Sequence, residues 1–136
     1  MLAAHPLPAF ADNYIWLIED GRGRAVIVDP GDAAPAIAAL QERNLSLSAI
    51  LVTHHHPDHV GGVDELRSCH ANVPVYGPRE SPATCVTEPL GDGATIDVLG
   101  LPATVIVVPG HTLDHIAYFI SGNATMAPLL FCGDAL

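Results

Sequence analysis

Four side chains able to bind a metal fall within six consecutive residues: His54, His56, Asp58 and His59, in the run Thr53-His54-His55-His56-Pro57-Asp58-His59. Imidazole and carboxylate are the usual ligands of zinc-class ions. On an extended turn, alternate side chains share a side, so His54 and His56 can reach one ion together. Asp58 and His59 open the next helix, point elsewhere and suit a second ion nearby. His55 alternates away from its neighbours and is expected outside the ligand set. A polar loop or an affinity-tag-like histidine run is the bland alternative. A tag would not sit between a buried strand and a helix, and it would not contain Asp58.

Two further loops carry ligand types at strand ends beside a glycine: Pro109-Gly110-His111-Thr112 and Cys132-Gly133-Asp134. Alone, His111 would read as a surface histidine and Asp134 as part of a common turn. Beside the cluster, both become ligand candidates.

The elements that must position these residues follow from pattern. Asn13 to Ile18 and Ala25 to Val28 read as strands joined by a hairpin turn at Gly21-Arg22-Gly23-Arg24. Ala33 to Arg43 reads as a helix of good helix formers, with Asn44 as its C-terminal cap. Ala49 to Val52 is wholly apolar and is expected to be a strand buried on both faces, delivering the histidine run at its C-terminal end. Asp58 to His70 predicts a second helix with Pro57 near its first position. Within it, Gly61-Gly62 lacks bulk and lets the helix start pack closely on neighbouring backbone. Val73 to Gly77 predicts an edge strand, because Pro74 cannot donate to a ladder. Arg79 to Gly93 reads as loop, followed by strands at Thr95 to Leu99, Ala103 to Val108, His115 to Ile120 and Leu129 to Cys132. The order predicts one α/β (α+β) domain over residues 1–136, a mixed β-sheet with helices on one face.

Composition bounds the function classes. The 136 residues are 49% apolar and 15% charged, enough for a core and unlike a disordered chain. The net charge is −10; there is no lysine, and the five arginines (Arg22, Arg24, Arg43, Arg67, Arg79) are scattered, which disfavours nucleic acid. Part of the acidity would offset bound cations. No apolar run reaches membrane-span length, and Met1 to Pro6 lacks the basic start of a signal peptide, so the expected compartment is the cytoplasm. The odd set Cys69, Cys85 and Cys132 suits free thiols in a reducing compartment.

Taken together, the residues resemble the metallo-β-lactamase superfamily, whose mark Thr-His-x-His-x-Asp-His stands here as Thr53 to His59, continued by Val60-Gly61-Gly62. The chain is most similar to the glyoxalase II branch, the hydroxyacylglutathione hydrolases. That likeness rests on Asp12 to Trp16, Val28 to Asp32, Val75 to Gly77, Gly110 to Thr112 and Phe131 to Asp134. The resemblance implies that His54, His56 and His111 hold a first ion, that Asp58 and His59 hold a second, and that Asp134 bridges both. It implies two divalent ions, zinc foremost, with iron and manganese fitting the same ligands. Asp58 would also orient a metal-bound hydroxide. Asp29 is expected either to orient a ligand or simply to turn the chain before Pro30, and His115 to be structural. Asp114 stands where the family often has a small residue.

The family fold is a four-layer αββα sandwich, of which this chain would cover about the first half. The family's second ion takes one more histidine, well after the bridging aspartate, and much of its glutathione contact comes from a later helical region. The second ion site is therefore expected to be incomplete here, and an uncovered apolar sheet face to promote self-association. The implied reaction is hydrolysis of a small-molecule glutathione thioester, S-(2-hydroxyacyl)glutathione, to glutathione and a 2-hydroxy acid, as in methylglyoxal detoxification. Two alternatives stay open: the same fold acting on a lactone, persulfide, β-lactam or phosphodiester, and an inactive metal-binding fragment.

Overall fold

The computed structural model describes residues 2–9, 13–70, 72–79, 81, 85–108, 114–121 and 128–132; for Asn13 and Asp58 it describes the backbone alone. Strands β1 (Ala3–Ala9), β2 (Asn13–Glu19), β3 (Arg24–Val28), β4 (Ser46–Leu51), β5 (Val75–Pro78) and β6 (Glu88–Leu90) form one mixed sheet in that order. The first three run antiparallel, and β3 to β6 run parallel to one another. Helices α1 (Ala33–Glu42), α2 (Pro57–Val60) and α3 (Val63–Cys69) connect the parallel strands. A second, antiparallel sheet has the order β10-β9-β8-β7, from β7 (Thr95–Val98), β8 (Leu101–Val107), β9 (Ile116–Ile120) and β10 (Leu129–Phe131).

Strand alternation sorts the apolar residues into two cores. Ala25, Ile27, Ile50 and Val52 face the helices and pack with Ala36, Leu40, Val63 and Leu66. Val26, Val28 and Leu51 face the other way and pack with Val105, Ile116, Tyr118, Ile120 and Phe131 of the second sheet. β3 and the end of β4 are continuously apolar because both of their faces are covered. The mixed sheet with helices on one face is as expected. The later strands, however, do not extend it: they form the second sheet on its other face, so the face expected to be bare is covered. The exposed apolar face lies one layer further out, where Ile106 and Leu130 are 40% and 50% exposed.

Local chemistry explains the other departures. β1 was not anticipated, because Pro6 and Pro8 look like strand breakers; it survives as an edge strand, where a missing N–H is tolerated. β5 is not an edge strand but lies between β4 and β6. Pro74 precedes it and contributes only its carbonyl, which accepts from the Ile50 N–H at 3.0 Å. β6 arises inside the stretch read as loop. The helix expected from Asp58 to His70 is two helices, α2 and α3, broken at Gly61-Gly62. There the Gly62 N–H leaves the helix and donates to the Pro30 carbonyl at 2.7 Å.

Helix α1 begins and ends as its residues dictate. Asp32 is extended and accepts from the Ala34 N–H at 3.1 Å. Asn44 takes a left-handed φ of 54°, and the Leu45 N–H returns to the Leu40 carbonyl at 2.9 Å, closing the last turn. An Asp32→Ala variant is expected to lose about 1 kcal/mol, readable as a lower urea midpoint with unchanged slope; an unaltered midpoint would show that the cap contributes nothing. Among the described residues no helix is long and apolar enough to cross a membrane.

Candidate metal centre

Strands β3 and β4 are parallel neighbours, so their C-terminal ends present Asp29 and Thr53-His54 side by side. Asp29 has a left-handed φ of 52° and turns the chain toward Pro30 while its N–H still donates to Leu51 at 2.8 Å. Its side chain is buried and fully engaged. One oxygen accepts from the Thr53 N–H at 2.8 Å. The other accepts from the Thr53 hydroxyl at 2.6 Å and meets His59 Nδ1 at 2.9 Å. The Thr53 hydroxyl in turn lies 3.0 Å from His54 Nδ1.

These distances assign the ring protons. A carboxylate only accepts hydrogen bonds, so as its donor His59 carries a hydrogen on Nδ1. Thr53 has one hydroxyl proton and gives it to Asp29, so toward His54 its oxygen accepts and His54 Nδ1 also carries a hydrogen. With the hydrogen on Nδ1, Nε2 of each ring is the nitrogen left to offer a lone pair to a metal. One carboxylate thereby sets two imidazoles, the second through a threonine relay.

The two rings are gathered rather than dispersed. The His54 centroid lies 4.2 Å from His59 and 4.9 Å from His56. His54 and His59 are 0% and 3% exposed, and with Asp29 their ligand atoms lie within 4.8 Å of one another. Although Asp29 is near enough to be a ligand itself, its oxygens are already committed to three hydrogen bonds, and we read it as the orienting group. Two buried imidazoles with a third beside them are a donor set that fits a zinc-class ion. His56 also starts α2, its carbonyl accepting from the N–H groups of His59 and Val60.

Of the residues expected to bind metal, His54, His56 and His59 come together here. Asp58 is placed in α2, with its side chain outside the described atoms, and His111 and Asp134 lie outside the described residues. His55 is turned toward Asp114, whose carboxylate lies 2.9 Å from its Nδ1. His115 is fully buried and stacks on His54, with centroids 4.6 Å apart and planes 15° from parallel. The role of Thr53 is signalled in the sequence only by a hydroxyl next to a candidate ligand histidine.

The sequence model of the metallo-beta-lactamase superfamily matches residues 10–136. A hydroxyacylglutathione hydrolase of Hahella chejuensis is 52% identical over 131 residues, covering 96% of this chain and 50% of that protein. One of Photobacterium profundum is 46% identical over 136 residues, covering all of this chain and 52% of that protein. The chain thus spans about half the length of these curated relatives. Among solved structures, ETHE1 from Myxococcus xanthus superposes with a TM-score of 0.81 at 28% identity, over 98% of this chain and 58% of that one. The BLEG-1 B3 metallo-beta-lactamase does so with 0.74 at 26% identity, over 88% of this chain and 67% of that one.

Proposed function

Because this chain belongs to the metallo-β-lactamase superfamily, we propose that it supplies the metal-binding part of a thioester hydrolase that converts S-(2-hydroxyacyl)glutathione to glutathione and a 2-hydroxy acid. The observation that carries this reading is the buried Asp29-Thr53-His54 and Asp29-His59 network, which sets two clustered imidazoles in the ligating state. The near 50% identity to hydroxyacylglutathione hydrolases supports the substrate class.

In this reading His54, His56 and His111 would hold the first ion, Asp58 and His59 would contribute to the second, and Asp134 would serve both. Zinc is the first choice, and iron and manganese suit the same donors. A bound divalent ion supplies acidity to water near neutral pH and polarises the thioester carbonyl. Asp58 orients the attacking water by accepting its hydrogen bond. Water gives up a proton to solvent as its oxygen adds to the acyl carbon, the C–S bond breaks, glutathione leaves as the thiolate, and the new carboxylic acid releases the second proton. A thiol pKa of about 8.5 makes that departure feasible without a strong general acid. The three separate free thiols, Cys69, Cys85 and Cys132, suit the cytoplasm as the working compartment.

Calorimetric zinc titration of this chain, followed by a thioester assay with and without chelator, tests the reading. Tight zinc binding is expected, with any hydrolysis of S-D-lactoylglutathione lost on chelation. No zinc binding at all would remove the basis of the proposal. A second reading, β-lactam hydrolysis on the same centre, draws on the likeness to the B3 enzyme; a β-lactam included in the assay separates the two.

A further inference from the structure

We propose that Tyr118 is a positioning residue for the histidine loop: its hydroxyl, donated across the sandwich to the Val52 carbonyl, fixes the backbone that aims His54. The inference rests on the metal-centre reading above and concerns a residue on the other sheet, outside the ligand motif.

Val52 is the first residue past β4 and is fully buried. Its N–H is used by the parallel ladder, donating to the Tyr76 carbonyl at 2.8 Å. Its carbonyl looks toward the second sheet, where the Tyr118 hydroxyl donates to it at 2.7 Å, with a longer 3.3 Å contact to the Tyr76 carbonyl. The next carbonyl, that of Thr53, accepts from the Ile116 N–H at 2.9 Å. The following side chain, His54, has the His115 ring stacked on it, and His55 meets Asp114. Residues 118, 116, 115 and 114 therefore address residues 52, 53, 54 and 55 in reverse order. The segment entering β9 thus runs against residues 52 to 55 and contacts each of them, so the second sheet, not only the loop's own sheet, sets where His54 points.

Packing alone would be served by phenylalanine at position 118. A fully buried hydroxyl needs a partner, and its shorter bond goes to the backbone just before the Thr53 relay. Burial, with the Asp29 charge adding to it, pushes the phenol pKa well above its ordinary value despite the bond to Val52. The group is thus a proton donor at any working pH.

The test compares zinc affinity, by competition with a chromophoric chelator, and the cobalt(II) absorption spectrum in three proteins: the parent chain, Tyr118→Phe and Val105→Ala. Val105 is buried in the same inter-sheet core and its N–H pairs with Ala94 rather than with the loop. Tyr118→Phe is expected to weaken zinc on the order of tenfold, as removal of an orienting partner does, and to shift the cobalt bands. Val105→Ala should lower the melting temperature at least as much while leaving affinity and spectrum unchanged. Parental affinity and spectrum in Tyr118→Phe would overturn the proposal, as would an equal loss in Val105→Ala. If the parent binds neither metal, the functional reading falls and this inference with it. Should Tyr118→Phe fail to fold, the parent still decides the matter by NMR. A slowly exchanging Tyr118 hydroxyl proton that shifts when zinc binds supports the role, and a rapidly exchanging one refutes it.

Discussion

An Asp29→Asn variant should fold yet bind zinc roughly 10- to 100-fold more weakly, the range seen when an orienting partner of a ligand histidine is lost. The shape is conserved, but the donor pattern inverts. If the amide oxygen keeps the Thr53 N–H, the NH2 group faces both the Thr53 hydroxyl and His59 Nδ1, where the carboxylate had accepted. His59 Nδ1 must then become the acceptor, which moves the ring proton to Nε2. The Thr53 hydroxyl, now receiving a proton from the amide, turns its own toward His54 Nδ1 and forces the same change there. Two candidate ligand nitrogens lose their lone pairs through one substitution. Chelator competition measures the affinity, and imidazole 15N shifts report the tautomers. Parental affinity with both rings still protonated at Nδ1 would disprove the relay.

The second large effect is expected from Gly62→Ala. Gly62 has an ordinary φ of −96°, so no backbone preference for glycine is involved. The difficulty is space: a Cβ there would come within 2.4 Å of the Ala33 nitrogen and 2.6 Å of the Pro30 oxygen. Both are backbone atoms of the turn between β3 and α1 and cannot swing aside as a flexible side chain could. Overpacking against fixed backbone should cost about 3 kcal/mol, which for a domain of this size lowers the melting temperature by roughly 10 °C. The same displacement separates α2, which carries His59, from the turn that carries Asp29, so zinc affinity should fall as well. A melting curve superimposable on the parent's would mean that the turn yields easily and the close approach is not required.

The contrast between these sites and their sequence signals shows what a sequence can disclose. The pairing of His54 with His56 was legible because alternation is a local rule acting over a few residues; His59, expected to point elsewhere, instead lies nearer to His54 than His56 does. The glycine pair was legible as a close approach but not as a helix break, since the hydrogen bond that ends α2 goes to Pro30, some thirty positions earlier. β1 was hidden because Pro6 and Pro8 are unfavourable in most strands and harmless only at an edge, and edge position is a property of the assembled sheet. The division into two sheets was invisible for the same reason. Val26 and Ile27 look alike in sequence, and only the finished sandwich decides that one meets the second sheet and the other the helices. Asp29 could be read as a turn residue or as an orienting residue, and it is both. Tyr118 gave no signal, because a tyrosine in an apolar strand is unremarkable until its hydroxyl is seen against a carbonyl on the opposite sheet.

The left-handed backbone at position 29 narrows the paths open to mutation over long times. Such a conformation is readily adopted by glycine, asparagine and aspartate, and by few other residues. Glycine would satisfy the main chain but remove the acceptor; asparagine would fit it but reverse the proton pattern; glutamate would keep the charge but strain the turn. Each single-step escape fails one of two independent requirements, so drift at this position is blocked by geometry and by acid–base character together.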